Sequence, residues 1–241
     1  MTVSCATSPN FSKRAIRVID RDFTLPAGVT SWKTLLGFAI DPEPSPFFYP
    51  AQWEQGLSDV FTLVWMPLPL EARLRLIKTE EFTLSLGAAF LGQIQSRNRN
   101  FDWRPTMQVL GRWKTGRDWA LELEALSVVE VTRDPFGNPG WLGLVRVSPW
   151  WQALDRLGVS AGIGAQVESG AIRSRYVGGL PGGSVGAESE QGLRRHLPLF
   201  FAMEAVPWDS WALRAEGWSY GLAEETRFLS ASCFLSVIHT W

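Results

Sequence analysis

Side chains that carry chemistry are sparse in this chain, and their spacing narrows what they do. His196 and His239 are its two histidines. A histidine works as an acid, base or activator when a serine or carboxylate stands beside it. Arg194 and Glu190 lie near His196, but no nucleophile is spaced to partner it. Cys5 and Cys233 sit at opposite ends of the chain and match no metal-ligand spacing, so neither a metal nor another cofactor is expected. The glycine-rich run GLPGGSVG (179–186) lacks the strand-then-helix setting of a phosphate loop and reads as an external loop. Charged residues are more informative. Arg73 and Arg75, Arg104 and Arg112, and Glu122, Glu124 and Glu130 recur at even spacings between apolar residues. That pattern gathers charge on one face of extended chain.

The whole composition excludes several classes of function. The 23 Lys+Arg and 24 Asp+Glu nearly cancel, which leaves no electrostatic footprint for nucleic acid. Tryptophan is abundant, at 13 residues, while lysine is confined to Lys13, Lys33, Lys78 and Lys114. No run reaches the ~18 apolar residues of a transmembrane helix. Lys13, Arg14 and Arg17 interrupt any secretory core in the first 20 positions. Cys5 follows Val-Ser as at a lipoprotein cleavage site, but the preceding apolar stretch is missing.

The elements that must position the charges are strands. Trp119, Leu121, Leu123, Ala125, Ser127, Val129 and Val131 alternate with Glu122, Glu124 and Glu130, and the same period of two recurs almost end to end. Turn residues place strands near 28–40, 58–77, 82–96, 103–115, 119–133, 141–152, 159–173, 194–207, 211–222 and 227–241. Pro67 and Pro69 are expected to bend or bulge the second of these. Connections alternate between short (79–81, 116–118, 153–158, 208–210) and long (41–56, 97–102, 134–140, 176–192). An up-and-down sheet with tight turns at one end and long loops at the other follows.

Alternation alone does not say whether the apolar face meets a core or lipid. The strands are about twice the usual ~5–6 residues and meet the ~9–11 needed to cross a bilayer. Trp103, Trp113, Trp119, Trp141, Trp151, Trp211 and Trp241 stand at strand ends on the apolar face, as an aromatic girdle would. The opposite faces mix Gly, Ser, Gln and charge, which suits a confined lumen. The last strand, Leu229, Ala231, Cys233, Leu235, Val237, His239, Trp241 on one face, ends on an aromatic residue. It resembles the closing strand of small bacterial outer-membrane β-barrel proteins. His239 departs from that pattern, as does the missing signal peptide, which implies a mature-form or truncated sequence. The resemblance implies an outer-membrane location and contact with lipid bilayer and lipopolysaccharide. It also implies recognition by the barrel-assembly machinery through the strand ending in Trp241.

The expected fold is therefore all-β: an antiparallel up-and-down transmembrane barrel of about ten strands, within a range of roughly eight to twelve. Residues 28–241 form the barrel, and residues 1–27 form an N-terminal periplasmic extension or a small plug. Matching faces across the tight turns sets Arg112 opposite Glu122, Arg104 opposite Glu130, and Glu204 opposite Arg214. Symmetric closure of the 134–140 loop about Asn138 sets Glu130 opposite Arg146 as well. These lumen charge pairs either fill the barrel or, with Lys33, Arg73 and Arg75, line a narrow path for a small solute. The aromatic cluster Phe47, Phe48, Tyr49 and Trp53 is expected to dock on the rim. The functional expectation is a structural envelope protein or narrow solute channel. Two alternatives stand beside it: a soluble ligand-binding barrel with its apolar face inward, and an outer-membrane hydrolase using His196. The residues weigh against an enzyme.

Overall fold

In a computed structural model, residues 16–41, 43–65, 70–94, 101–130, 140–169, 176–177, 180–181, 194–220 and 230–241 are described. The chain enters through a 3-10 turn, Val18–Asp20. The strands are then β1 (Thr30–Asp41), β2 (Glu43–Ser58), β3 (Phe61–Trp65), β4 (Leu70–Lys78), β5 (Phe82–Ile94) and β6 (Phe101–Lys114). They continue with β7 (Trp119–Glu130), β8 (Gly140–Leu154), β9 (Leu157–Ser169), β10 (Tyr176–Val177), β11 (Leu180–Pro181), β12 (Arg194–His196), β13 (Leu199–Trp208), β14 (Trp211–Tyr220) and β15 (Ser230–Thr240).

Antiparallel pairing runs from β1 through β9, on to β13, β14 and β15, and back to β1, closing a barrel of 12 strands. β12 continues the register of β13 along β9: Arg194 faces Glu168 and Leu199 faces Ile163. Between them the Gly164 N–H donates to Pro198 O at 2.8 Å. Closure is reciprocal at the termini, where the Thr30 N–H donates to Trp241 O and the Trp241 N–H to Thr30 O, both 2.9 Å. β10 and β11 form a separate two-stranded ribbon.

The strand number corrects the expected ten upward. The 41–56 segment, expected as a loop, is β2, paired with β1 from Gln55 opposite Thr30 to Glu43 opposite Asp41. Its prolines, Pro44, Pro46 and Pro50, argued for a loop. However, the pairing of β2 with β3 spans only Trp53 to Ser58. Among the described residues the proline-bearing part is thus paired on one side, where a missing N–H is tolerated. The second correction is at 58–77, where β3 ends with Trp65 opposite Leu70 of β4. The chain reverses between them. Pro67 and Pro69 themselves lie outside the described residues.

Sidedness is the reverse of a soluble barrel. Along β7, Leu123 is 44% exposed while Glu122 is 5% and Glu124 2% exposed. On the outer surface Met107, Val109, Val145, Ile163, Phe201, Met203, Leu213 and Leu235 are exposed. Inside, Thr62, Ser85, Ser148, Gln152, Gln166 and Ser236 are buried beside Leu126, Val128, Leu142 and Leu144. The soluble alternative requires the opposite arrangement.

Candidate functional site

The inner wall is built by even-numbered residues of β6, β7, β8 and β14 and their neighbours, because a strand presents alternate residues to one face. Arg112 stands opposite Glu122, and its Nη2 donates to Glu122 Oε2 at 2.7 Å. Glu204 stands opposite Arg214, 3.4 Å between Oε2 and Nη1. The residue opposite Arg146 is Glu124, and Glu130 faces Gly140 instead. Loop symmetry misplaced that register. The hairpin is matched along its length by its wall, with Trp119 stacked on Trp151 at 6.1 Å at the far end.

Arg146 nevertheless joins the same network, with Nη2 2.6 Å from Glu124 and 3.3 Å from Glu122. Glu124 also accepts from Gln108 Nε2. Across the lumen Arg73 pairs with Glu71 at 2.5 Å and Glu54 at 3.3 Å, while Arg214 pairs with Glu216. Three guanidiniums lie over aromatic rings: Arg112 on Phe23, Arg146 on Phe200 and Arg214 on Trp150, 4.9, 5.2 and 5.5 Å from the ring centres. Rings and carboxylates together hold these side chains in fixed positions along the wall. The side chains of Arg104 and Glu130 lie outside the described residues.

Residues 16–29 run inside the barrel mouth where both termini close. Val18 and Ile19 pack in one buried cluster with Ala120 and Trp150. The Ile19 N–H donates to Gln152 Oε1 at 3.3 Å, and the Leu25 N–H to Thr62 Oγ1 at 2.7 Å. Arg112 Nη1 donates to Val18 O at 3.1 Å and also to Arg21 O. Four charges of the segment each meet the barrel: Arg17 with Asp118 (2.6 Å), Asp20 with Lys114 (2.7 Å), Arg21 with Glu204, and Asp22 with Arg75 (2.6 Å) and Lys78 (3.3 Å). The segment leaves through a turn at Gly28, whose φ of 76° suits glycine. There the Gly28 N–H donates to Gly56 O, and the Gly56 N–H to Val29 O, each 2.9 Å. A Cβ on Gly56 would come 2.0 Å from Pro26 O, so the backbones approach as closely as glycine allows.

Sequence reasoning missed these partners. A usable signal was present in RVIDRD (17–22), which repeats the balanced acid–base mixture of the lumen beside two apolar residues.

On the outside, Trp113, Trp119, Trp141, Trp151, Trp211 and Trp241 are exposed, and the side chain of Trp103 is outside the described residues. Trp141 and Trp151 bracket β8 over ten steps, about 33 Å of strand, which at the usual tilt gives the ~25 Å apolar height of outer-membrane barrels. His239 lies between Trp211 (4.4 Å) and Trp241 (5.1 Å) with its ring tilted to both, and Trp53 meets Trp241 edge-on at 5.6 Å. His239 is thus embedded in the outer aromatic band. His196 lies on β12, and its side chain is outside the described residues, as are those of Phe47, Phe48 and Tyr49. Among the described residues no group of three His, Cys, Asp or Glu side chains could hold a metal ion.

The fold is similar to that of an outer membrane channel from Pseudomonas putida F1, with TM-score 0.67 and 12% identity over 98% of this chain and 100% of that one. It is also similar to the NanC porin, with TM-score 0.56 and 8% identity over 86% of this chain and 98% of that one. At these identities the likeness is one of fold. No protein-family model matches the chain, and no curated protein matches it in sequence.

Proposed function

We propose that this chain is a bacterial outer-membrane channel for small solutes, with a narrow, charge-lined lumen that residues 16–29 plug. The observation that carries the reading is the inversion of the barrel: a lipid-compatible outer band around an ionic, hydrogen-bonding interior. A barrel of about eight strands is filled by its own side chains, whereas 16 to 18 strands leave a wide aqueous channel. Twelve strands fall between these limits. The interior then holds more than side chains, and here it holds a piece of the chain.

In this reading the exposed tryptophans are interfacial anchors. The strand ending in Trp241 is the element offered to the assembly machinery, the termini face the periplasm, and the outer rim meets lipopolysaccharide. The pairs Arg112–Glu122, Arg146–Glu124 and Arg214–Glu204 set the electrostatics of the path, and Arg104 and Glu130 extend it. Balanced pairs favour polar solutes over the unselective passage of ions.

The test is reconstitution. The protein should require detergent for extraction, migrate differently on a gel before and after heating, and give discrete single-channel conductance in planar bilayers. Detergent-free solubility would sink the membrane reading. A folded, inserted barrel that never conducts, with or without its plug, would favour a purely structural envelope role.

A further inference from the structure

Resting on the channel reading, the plug's charges point to a solute class. β4, β5 and β6 form one continuous wall at the closed mouth, and its inward side carries Arg73, Arg75, Lys78, Arg112 and Lys114. Arg73 is neutralised by Glu71 and Glu54, and Arg112 by Glu122, all of them barrel residues. Arg75, Lys78 and Lys114 differ: among the described residues only the plug supplies their counter-charges. Asp22 Oδ2 lies 2.6 Å from Arg75 Nη1 and 3.3 Å from Lys78 Nζ, and Asp20 Oδ1 lies 2.7 Å from Lys114 Nζ.

We propose that this basic wall is a binding site for small organic dianions, and that Asp20 and Asp22 occupy it as an internal substitute. The two carboxylates are borne two residues apart on the plug and meet cations of β4 and β6 on the same wall. Withdrawing the plug removes the partners of three cations. It leaves the β4–β6 wall basic, since Arg112 keeps Glu122, while the plug's own Arg17 and Arg21 leave Asp118 and Glu204 on other strands and segments. A dianion arriving from the mouth then competes directly with the plug, and its binding favours the open state by its preference for that state. The site therefore couples solute arrival to opening.

Succinate serves as the probe, with the full chain in detergent for calorimetry and in planar bilayers for conductance. Asp20→Asn with Asp22→Asn removes the internal competitor while keeping its shape. Succinate should bind this variant about tenfold more tightly than the parent, the effect of losing one pair of charge-assisted contacts. Chloride permeability relative to potassium should rise in step. Adding Arg75→Gln should abolish the gain. Equal succinate affinity in all three proteins overturns the site, even if they conduct. Tighter succinate binding without conductance in any variant keeps the site and overturns the channel reading. If heat-modifiable migration shows the double variant unfolded, Lys78→Gln at the half-exposed rim replaces it. That change must weaken succinate binding, and unchanged binding there overturns the proposal.

Discussion

Arg112 is held by three kinds of partner at once: the Glu122 carboxylate, the carbonyls of Val18 and Arg21, and the Phe23 ring. Both terminal nitrogens of the guanidinium are engaged, and it ties the plug to β6 without needing a plug carboxylate. Glu204 plays the complementary part, shared between Arg21 of the plug and Arg214 of β14 at 1% exposure. Removing Glu204 takes one carboxylate from Arg21 and leaves Arg214 with Glu216, and breaking a buried pair in this way costs up to about 3–5 kcal/mol. Glu204→Gln should accordingly lower stability by that amount in urea unfolding from liposomes, whereas Glu81→Gln at the exposed turn should change it little. The outer face obeys the opposite rule. Leu123→Arg puts charge into lipid and should cost about 2–4 kcal/mol, and almost no change would mean that this exposed face meets water instead. The register across the tight 115–118 turn was readable because one offset alone keeps the faces matched. Across 131–139 it was not, since a long loop need not close symmetrically, and Arg146 met Glu124 rather than Glu130.

At the level of elements, the period of two exposed most strands of the barrel, because lipid on one side and a polar lumen on the other enforce strict alternation. It failed at β2 and β3. Proline at 44, 46 and 50 normally argues against a strand, yet among the described residues half of β2 has a partner on one side only. β3 is five residues long, too short to show its own period beside β4. The choice between plug and extension stayed open for a different reason. Residues 16–29 have no periodic pattern to report, and what holds them is a set of long-range contacts such as Leu25 with Thr62. Their placement rests on close backbone approach at Gly56, where a side chain would collide with Pro26 O. Gly56→Ala should therefore push the Leu25–Pro26 stretch away from β2. Hydrogen exchange at the Leu25 amide, protected in the parent by Thr62 Oγ1, should quicken strongly in a barrel that still closes. Unchanged exchange would mean that the wall, not the plug, yields at this contact.

For the molecule as a whole, the barrel and its plug stabilise each other unequally. The barrel has its own closed ladder of backbone bonds, including the Thr30–Trp241 pair, so it does not depend on residues 16–27 for closure. The plug depends on the barrel entirely, having only a three-residue 3-10 turn of its own. Deleting residues 1–27 should therefore leave a folded, heat-modifiable barrel and open the mouth. The cost is the buried cluster of Val18 and Ile19 against Trp150, of order 1.5–3 kcal/mol per lost side chain, together with the loss of Arg21 from Glu204, small beside the closed strand network. In planar bilayers the truncated protein should conduct several times better than the parent. Its current should also shift toward anions, because Arg75, Lys78 and Lys114 lose Asp20 and Asp22. Unchanged conductance in a folded truncation would show that the constriction lies elsewhere along the lumen and that the plug seals nothing.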